Sequence, residues 1–184
     1  MIKVYWKHTG SSHCRVKEFL EQILKEEDVG KVIIKKNDFG KPYLEQPKGI
    51  YFNGSHSGDY LVCALSNRPI GVDIQEKLLQ TPCLKLAKRF FTKKEYDSLL
   101  DLDEKGQREA FFRLWTQKES YMKYCGSGFS LPMNTFEIQE ENGAWHVFIK
   151  GERAACCLKE VQLDCAYSLW VCGEEEEISL WKRK

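Results

Sequence analysis

The N-terminal half of the chain alternates short apolar strands with one amphipathic helix. Residues 2–6 alternate as a strand, and residues 15–25, which Ser12 precedes, place apolar side chains at helical spacing. Further segments are predicted from the pattern of apolar runs and turn residues. They are a strand at 31–35, turns at 40–42 and at Ser55–His56, and a hairpin of 60–66 with 70–74, which leaves Asp73 at the end of a central strand.

From Pro82 onward the apolar spacing becomes helical. Thr92 is a good N-cap for a helix over 93–100, and Glu95 stands at the third position of a capping box. A polar break precedes the longest predicted helix, 107–124, which Gly126 and Gly128 end. Three strands follow, at 135–139, 145–150 and 167–172, with an Asn142-Gly143 hairpin turn between the first two. Helices set against a few antiparallel strands in each half predict an α+β fold.

Composition narrows the class of protein. The 184 residues can form one domain or two small ones, and 42% apolar residues are enough for a packed core. With 28 basic and 27 acidic side chains the net charge is +1, so neither nucleic acid nor a membrane surface is favoured as a partner. No apolar run is long enough to span a bilayer.

Cysteine and histidine usage predicts a reducing compartment without structural zinc. The chain has eight cysteines but no C-x-x-C pair, and none of its four histidines has zinc-site spacing. The N-terminus lacks a signal-peptide core. We therefore expect reduced thiols and a cytoplasmic location.

Two segments carry residues suited to a divalent metal beside a diphosphate. On a strand, Asp73 and Gln75 point to one side. On a helix, Glu119 and Lys123 are four residues apart, and Lys118 lies near the same face. Oxygen ligands beside ammonium groups suit magnesium on a phosphate compound. For either segment alone, a surface Glu–Lys pair or an ordinary strand end is the simpler interpretation.

Five ordered motifs favour the chemical interpretation. They read FGKPYL, NGSHSGDYLVCAL, GVDIQ, KRFFTKKEY and LWTQKESYMKYCGSGFSLP. In this order and spacing, over roughly residues 39–135, the sequence resembles the 4′-phosphopantetheinyl transferase superfamily, in particular its single-chain, surfactin-synthetase-activating (Sfp-type) branch.

The resemblance implies a fold and a reaction. The fold is a pseudo-dimer of two similar α+β halves, here 1–78 and 79–184, with the active site in the cleft between them. The reaction moves the phosphopantetheine arm of coenzyme A to a serine of an apo acyl or peptidyl carrier protein and leaves adenosine 3′,5′-bisphosphate. A monomer that requires Mg²⁺ is expected. The N-terminal half looks shorter than is usual for this branch.

The resemblance also implies catalytic and metal-binding residues. Asp73, Gln75 and Glu119 are the expected metal ligands, although the family usually has glutamate where this chain has Gln75. Asp73, Glu119 and Lys123 are the expected catalytic residues. Glu119 is also a candidate base for the carrier serine, directly or through a metal-bound water. Glu95 either assists that base or is only the capping-box residue, which is the more economical interpretation.

Coenzyme A and the carrier are each expected to meet a further set of residues. His56, with Ser55 and Lys41 as neighbours, is expected to contact the 3′-phosphate, and Lys123 the diphosphate. The full predicted set for coenzyme A is Lys41, Ser55, His56, Asp73, Lys118 and Lys123. Lys118 could instead be a surface lysine.

Carrier docking is predicted from an apolar anchor beside basic residues. The anchor is Phe129, Leu131 and Met133; the basic residues are Lys85, Lys88, Arg89, Lys93 and Lys94. A solvated helix face and a core contact for Phe129 are the alternatives. Two rival functions stay open: a degenerate protein that binds coenzyme A without transferring it, and, with weaker support, a magnesium-dependent phosphodiesterase or nuclease.

Overall fold

The computed structural model describes residues 1–10, 15–127, 130–174 and 177–183. No helix within these ranges is long and apolar enough to cross a membrane. The helices are α1 (Val16–Glu26), α2 (Cys83–Phe90), α3 (Lys93–Leu100) and α4 (Glu104–Cys125). The strands are β1 (Ile2–His8), β2 (Ile33–Lys36), β3 (Pro42–Gln46), β4 (Tyr51–Ser57), β5 (Tyr60–Ser66), β6 (Ile70–Glu76), β7 (Glu137–Glu141), β8 (Ala144–Ile149), β9 (Glu152–Glu160), β10 (Tyr167–Gly173) and β11 (Ile178–Lys182).

The strands form two main sheets and one separate pair. One sheet has the order β11-β1-β5-β4 and the other the order β6-β10-β9-β8-β7, while β2 pairs with β3. β11 runs parallel to β1, and the other pairings are antiparallel. The predicted α+β fold is confirmed, with a sheet in each of the two parts that a pseudo-dimer requires.

Three apolar clusters hold the layers together. α1 buries one stripe, from Phe19 to Leu24, against the four-stranded sheet. The helices α2, α3 and α4 cover the five-stranded sheet around Phe111 and Phe136. Between the two sheets, Val4 and Val62 of one pack with Val72 of the other. The third cluster therefore joins the two sheets into one structure.

Side chains of β4 extend this junction to the backbone of β6. Asn53 Oδ1 accepts a hydrogen bond from the Val72 amide at 2.9 Å, and Ser57 Oγ accepts one from the Glu76 amide at 2.9 Å. These bonds satisfy amide groups on the edge of β6 that no neighbouring strand pairs. β4 and β6 are thereby fixed side by side although they belong to different sheets.

α4 lies unusually close to β6. A Cβ atom placed on Gly71 would lie 2.0 Å from the Ser120 carbonyl oxygen and 2.4 Å from the Tyr124 amide nitrogen. These neighbours are backbone atoms of α4, which cannot shift without moving the helix, so a side chain at position 71 would not fit. Gly71 thus permits the close packing that brings the C-terminal half of α4 onto β6.

Two local predictions in the N-terminal half were wrong. β5 and β6 do not form a hairpin, since β5 pairs with β1 and β4 while β6 pairs with β10 in the other sheet. Asp73 consequently lies in the middle of β6, opposite Trp170. The segment with Ser55 and His56 is strand rather than turn, and the turn falls at residues 58–59.

Other predictions hold. Thr92 and Glu95 form the capping box of α3, and Gly126 ends α4 in the left-handed conformation with φ 69°. Gly128 and Ser12 lie outside the described residues. Asn142 and Gly143, both with positive φ, turn the β7–β8 hairpin. The division at residues 78 and 79 stays a prediction, and the pairings of β6 with β10 and of β11 with β1 both cross it.

Candidate functional site

A buried carboxylate, Asp73, is the centre of a polar cluster where β4, β6 and α4 meet. Its side chain is only 2% exposed. Asp73 Oδ1 accepts hydrogen bonds from Ser55 Oγ at 2.8 Å and from Lys123 Nζ at 2.6 Å. Asp73 Oδ2 accepts one from Gln75 Nε2 at 3.1 Å. Three donors, one of them the positively charged Lys123, compensate the cost of burying this carboxylate.

Lys123 links the helix to both strands. Its ammonium group also donates to Ser55 Oγ at 2.9 Å and to the Val72 carbonyl oxygen at 3.2 Å. An ammonium group has three N–H donors, so the three partners use all of them. The side chain is 27% exposed, so a ligand in the adjoining space can reach it.

Glu119 lies one helical turn before Lys123. Burial raises the pKa of its carboxyl group, the negative charge of Asp73 raises it further, and Lys123 lowers it. Within the ranges that the structure describes, the Glu119 carboxylate has no hydrogen-bond or ion-pair partner. A carboxylate left in this condition is suited to accept a proton or to hold a cation.

Two cavities meet at Glu119 and Met122. The first, of about 320 Å³, is lined on its polar side by Lys41, Asn53, Glu119 and Lys123. The second, of about 330 Å³, is mainly apolar and is lined by Phe90, Trp115, Leu131, Met133 and Arg89 among others. Glu119 therefore stands between a space with two cations and a space with aromatic and aliphatic walls.

The donor types around Asp73 fit a hard divalent cation. Asp73 and Glu119 supply carboxylate oxygens, and Gln75 supplies an amide next to them. No group of three or more His, Cys, Asp or Glu side chains that could hold a metal occurs in the described part of the chain. Such a site would need further oxygens from water or from a substrate, as magnesium sites commonly do.

Comparison with known proteins decides the family. The sequence model of the 4′-phosphopantetheinyl transferase superfamily matches residues 69–173, which is more than half of the chain. The chain belongs to this superfamily. The matched range includes Asp73, Gln75, Glu119 and Lys123, and excludes the β4 residues that complete the cluster.

Curated transferases of the Sfp type are similar to this chain. The 4′-phosphopantetheinyl transferase Sfp of Bacillus subtilis is 36% identical over 137 residues, which are 74% of this chain and 60% of the relative. The transferase gsp of Aneurinibacillus migulanus is 32% identical over 158 residues, which are 86% of this chain and 65% of the relative. The predicted Sfp-type branch is confirmed, although the matched part spans less than two thirds of these relatives.

Solved structures in the superfamily give weaker matches. The holo-[acyl-carrier-protein] synthase of Thermotoga maritima matches with a TM-score of 0.46 and 18% identity over 56% of this chain and 61% of that chain. A holo-(acyl-carrier-protein) synthase from Bacillus anthracis, solved in complex with CoA (3′,5′-ADP), matches with a TM-score of 0.44 and 16% identity, covering 56% of this chain and 92% of that chain.

The structure brings most of the predicted transferase residues together. Asp73 accepts hydrogen bonds from Ser55, Gln75 and Lys123. Glu119 is close enough for the charge of Asp73 to raise its pKa. His56 is exposed, and strand alternation turns it to the face of β4 opposite Ser55. That face also carries Phe52, which packs against α1 in the core, and among the described residues His56 does not line the first cavity.

Lys118 does not join this cluster. Its side chain has no exposed surface, so the surface alternative was wrong. Its ammonium group donates to the carbonyl oxygens of Met133 at 2.8 Å and Phe136 at 2.7 Å, and pairs with Glu95 at 2.9 Å. Because all three donors are used inside the core of the C-terminal part, Lys118 has none left for coenzyme A.

Glu95 has a structural set of partners. Its carboxylate accepts one hydrogen bond from the Thr92 amide at 2.9 Å and another from the Ile138 amide at 2.9 Å. It also forms an ion pair with Lys118. Its side chain is 5% exposed. These bonds support the capping-box interpretation and tie α3 to α4 and β7, rather than placing Glu95 beside Glu119.

The predicted docking residues occupy different environments. Phe129 lies outside the described residues. Leu131 is half-buried at the second cavity, whereas Met133, 7% exposed, contributes to the core as well as to that cavity. The basic side chains of α2 and α3 named above are exposed.

Sequence reasoning missed several residues that shape the site. Asn53 fixes β6 beside β4, and Gly71 permits the close approach of α4. Met122 lines both cavities, and Asn37 donates a hydrogen bond to Gly126 at the end of α4. One signal was available: Asn53, Ser55 and Ser57 alternate with period two, as polar residues on one face of a strand do.

Proposed function

We propose that this protein transfers the 4′-phosphopantetheine arm of coenzyme A to a serine of an apo carrier protein. The observation that carries this proposal is the Asp73–Lys123–Glu119 arrangement beside a cavity, in a chain of this superfamily. Asp73 is buried with its charge balanced, while Glu119 lacks a partner among the described residues. Such an asymmetric pair is expected where charge must be handled during a reaction.

Lys123 is assigned to the diphosphate of coenzyme A. Its ammonium group borders the first cavity and is partly exposed. When a phosphate oxygen enters the cavity, Lys123 can exchange a neutral partner, Ser55 Oγ or the Val72 carbonyl, for an anionic one. The exchange places positive charge where negative charge gathers as the phosphoanhydride bond breaks.

Asp73, Glu119 and Gln75 are assigned to a magnesium ion. Magnesium, when bound to the diphosphate, neutralises part of the charge of the leaving group. Gln75 supplies no charge, and we therefore assign most of the protein's hold on the ion to the two carboxylates. Coenzyme A would provide the remaining anionic oxygens.

Glu119 is also assigned as the base for the carrier serine. In the reaction a bond forms between the serine oxygen and the phosphorus that carries pantetheine, and the phosphoanhydride bond to the adenosine 3′,5′-bisphosphate portion breaks. The serine proton must leave as this happens. A carboxylate has two oxygens, so Glu119 can hold the ion through one oxygen and accept the serine proton on the other. Burial and the charge of Asp73 raise the pKa of this carboxyl group, which makes it a better proton acceptor than a surface glutamate.

The remaining contacts are assigned by position. We assign His56 to the 3′-phosphate from its place in the NGSHSG motif, and Ser55 to holding Asp73 and Lys123. The apolar second cavity, with the exposed basic side chains of α2 nearby, is assigned to the acyl or peptidyl carrier. Cytoplasmic location and a monomeric state stay predictions.

One assay separates transfer from binding alone. Purified protein is incubated with coenzyme A, magnesium and an apo carrier protein, and the carrier is measured by intact mass. Transfer adds the arm to the carrier, and Asp73→Ala should abolish the addition. A degenerate coenzyme A-binding protein would leave the carrier mass unchanged while calorimetry still detected coenzyme A.

A further inference from the structure

The segment 37–41 contacts the last turn of α4. Lys41 Nζ donates to the carbonyl oxygens of Ile70 at 3.3 Å and Tyr124 at 3.2 Å, and also to that of Lys123. The final carbonyl groups of a helix have no donors within the helix. A lysine bonded to them both satisfies these groups and complements the negative end of the helix dipole.

Asn37 joins the same segment to the residue that ends the helix. Its Nδ2 donates to the Gly126 carbonyl oxygen at 3.0 Å. Its Oδ1 accepts from the backbone amides of Phe39 at 3.1 Å and Lys41 at 2.8 Å, which holds the turn closed. Asn37 and Lys41 together form what we call the helix clamp.

The helix clamp acts on the turn that carries Lys123. Two of the three carbonyl groups bonded to Lys41 belong to Lys123 and Tyr124, and Glu119 lies one turn earlier. All three N–H donors of Lys41 are used in this way. Burial also lowers the pKa of Lys41, which indicates that its ammonium group is shielded from water. Moving it to a phosphate would leave three carbonyl groups unpaired.

We propose that Lys41 and Asn37 are positioning residues: they fix the C-terminal turn of α4 so that Lys123 meets the diphosphate, and Lys41 does not itself bind the 3′-phosphate. This inference rests on the proposed function, because it presumes that coenzyme A occupies the first cavity. It departs from the sequence-based expectation, which grouped Lys41 with His56. The two assignments make opposite predictions for a ligand that lacks the 3′-phosphate.

The test compares the binding of coenzyme A and of 3′-dephospho-coenzyme A by calorimetry, with magnesium present. The clamp variants are Lys41→Met and Asn37→Ser, neither of which adds charge. The matched controls are Lys48→Met and Asn67→Ser, which change exposed residues outside the helix clamp. Hydrogen exchange at the amides of 123–126 is followed in the protein without ligand.

Each clamp variant is expected to lose about tenfold in affinity, by the same factor for both ligands, because a displaced Lys123 affects either diphosphate. Exchange at 123–126 should accelerate, while the controls stay at wild-type values. If Lys41→Met lost affinity for coenzyme A but not for 3′-dephospho-coenzyme A, Lys41 would bind the 3′-phosphate and the proposal would be wrong. Unchanged affinity or unchanged exchange would equally overturn the proposal. If the wild-type protein binds coenzyme A but transfers no arm to the carrier, the proposed function is wrong, and the positioning role of Lys41 and Asn37 is still tested by the binding data.

Discussion

At the scale of single residues, Glu119 is kept in an environment that costs stability. Burial and the charge of Asp73 raise its pKa, and the described residues offer it neither a hydrogen bond nor an ion pair. Asp73 is also buried, but both of its carboxylate oxygens accept hydrogen bonds. The two carboxylates are thus set up differently: Asp73 is hydrogen-bonded to three side chains, whereas Glu119 is without a partner among the described residues.

Glu119→Gln should therefore stabilise the protein near neutral pH. The pKa of Glu119 is higher in the folded state than in the unfolded chain, so the folded state binds more protons in this window and stability falls as pH rises through it. The urea concentration at the unfolding midpoint should be the same for variant and wild type at about pH 4. Toward about pH 7 it should become higher for the variant than for the wild type. The exposed Glu152→Gln is the control. A variant less stable at neutral pH would mean that Glu119 has a favourable partner.

Gln75→Glu tests whether position 75 belongs to the metal site. Gln75 now donates to Asp73 Oδ2, and a glutamate would place a second negative charge there. We expect magnesium binding without coenzyme A to tighten by at least about tenfold, and the metal-free protein to lose stability. Calorimetry with Gln80→Glu as the charge control measures this. Equal affinities for the two variants would exclude Gln75 from the coordination sphere.

Residue types at the site could be predicted, but their partners could not. The motifs identified Asp73, Glu119 and Lys123 because hard-cation and phosphate chemistry requires these side chains. Lys118 lies outside the cluster around Asp73, and this could not be predicted, because helical spacing fixes the direction of a side chain but not the depth of its surroundings. Its buried partners, Glu95 and the Met133 and Phe136 carbonyls, come from remote parts of the chain.

At the scale of elements, the contact of α4 with β6 determines the site. The helix brings Glu119 and Lys123, the strand brings Asp73 and Gln75, and Gly71 lets them approach. The C-terminal end of the helix could be predicted because Gly126 is a local cap, whereas the start was placed at residue 107 instead of Glu104, since the N-cap Asp103 was assigned to a polar break. The hairpin of β5 with β6 was wrong because a short connection cannot reveal that the chain passes from one sheet to the other.

Gly71→Ala should disrupt this contact. The new methyl group would meet backbone atoms of Ser120 and Tyr124, so the helix must move, and we expect a loss of about 3 kcal/mol in the free energy of unfolding. Gly173→Ala is the matched control, since its Cβ would lie 3.2 Å from the ends of two isoleucine side chains, which can shift. Urea denaturation measures both. Equal losses would show that the close approach of α4 is not the cause.

At the scale of the whole molecule, the site depends on two sheets that come from interleaved parts of the chain. β6 joins the C-terminal sheet, and β11 returns to pair with β1 in the other. The α+β class could be predicted from helix and strand patterns, but these pairings could not, because β11 is short and strand partners far apart in sequence leave no local signal. The cluster around Asp73 therefore forms only when both sheets are assembled.

The proposed transfer depends most on Glu119, which we assign as the base for the carrier serine and as a magnesium ligand. The most direct measurement is the initial rate of arm transfer to an apo carrier at saturating coenzyme A and magnesium, for wild type, Glu119→Gln and Glu152→Gln. We expect Glu119→Gln, although folded and at least as stable as wild type, to lose at least about a hundredfold in rate, and Glu152→Gln to transfer the arm at the wild-type rate. A rate for Glu119→Gln within about twofold of wild type would show that Glu119 has no part in the chemical step.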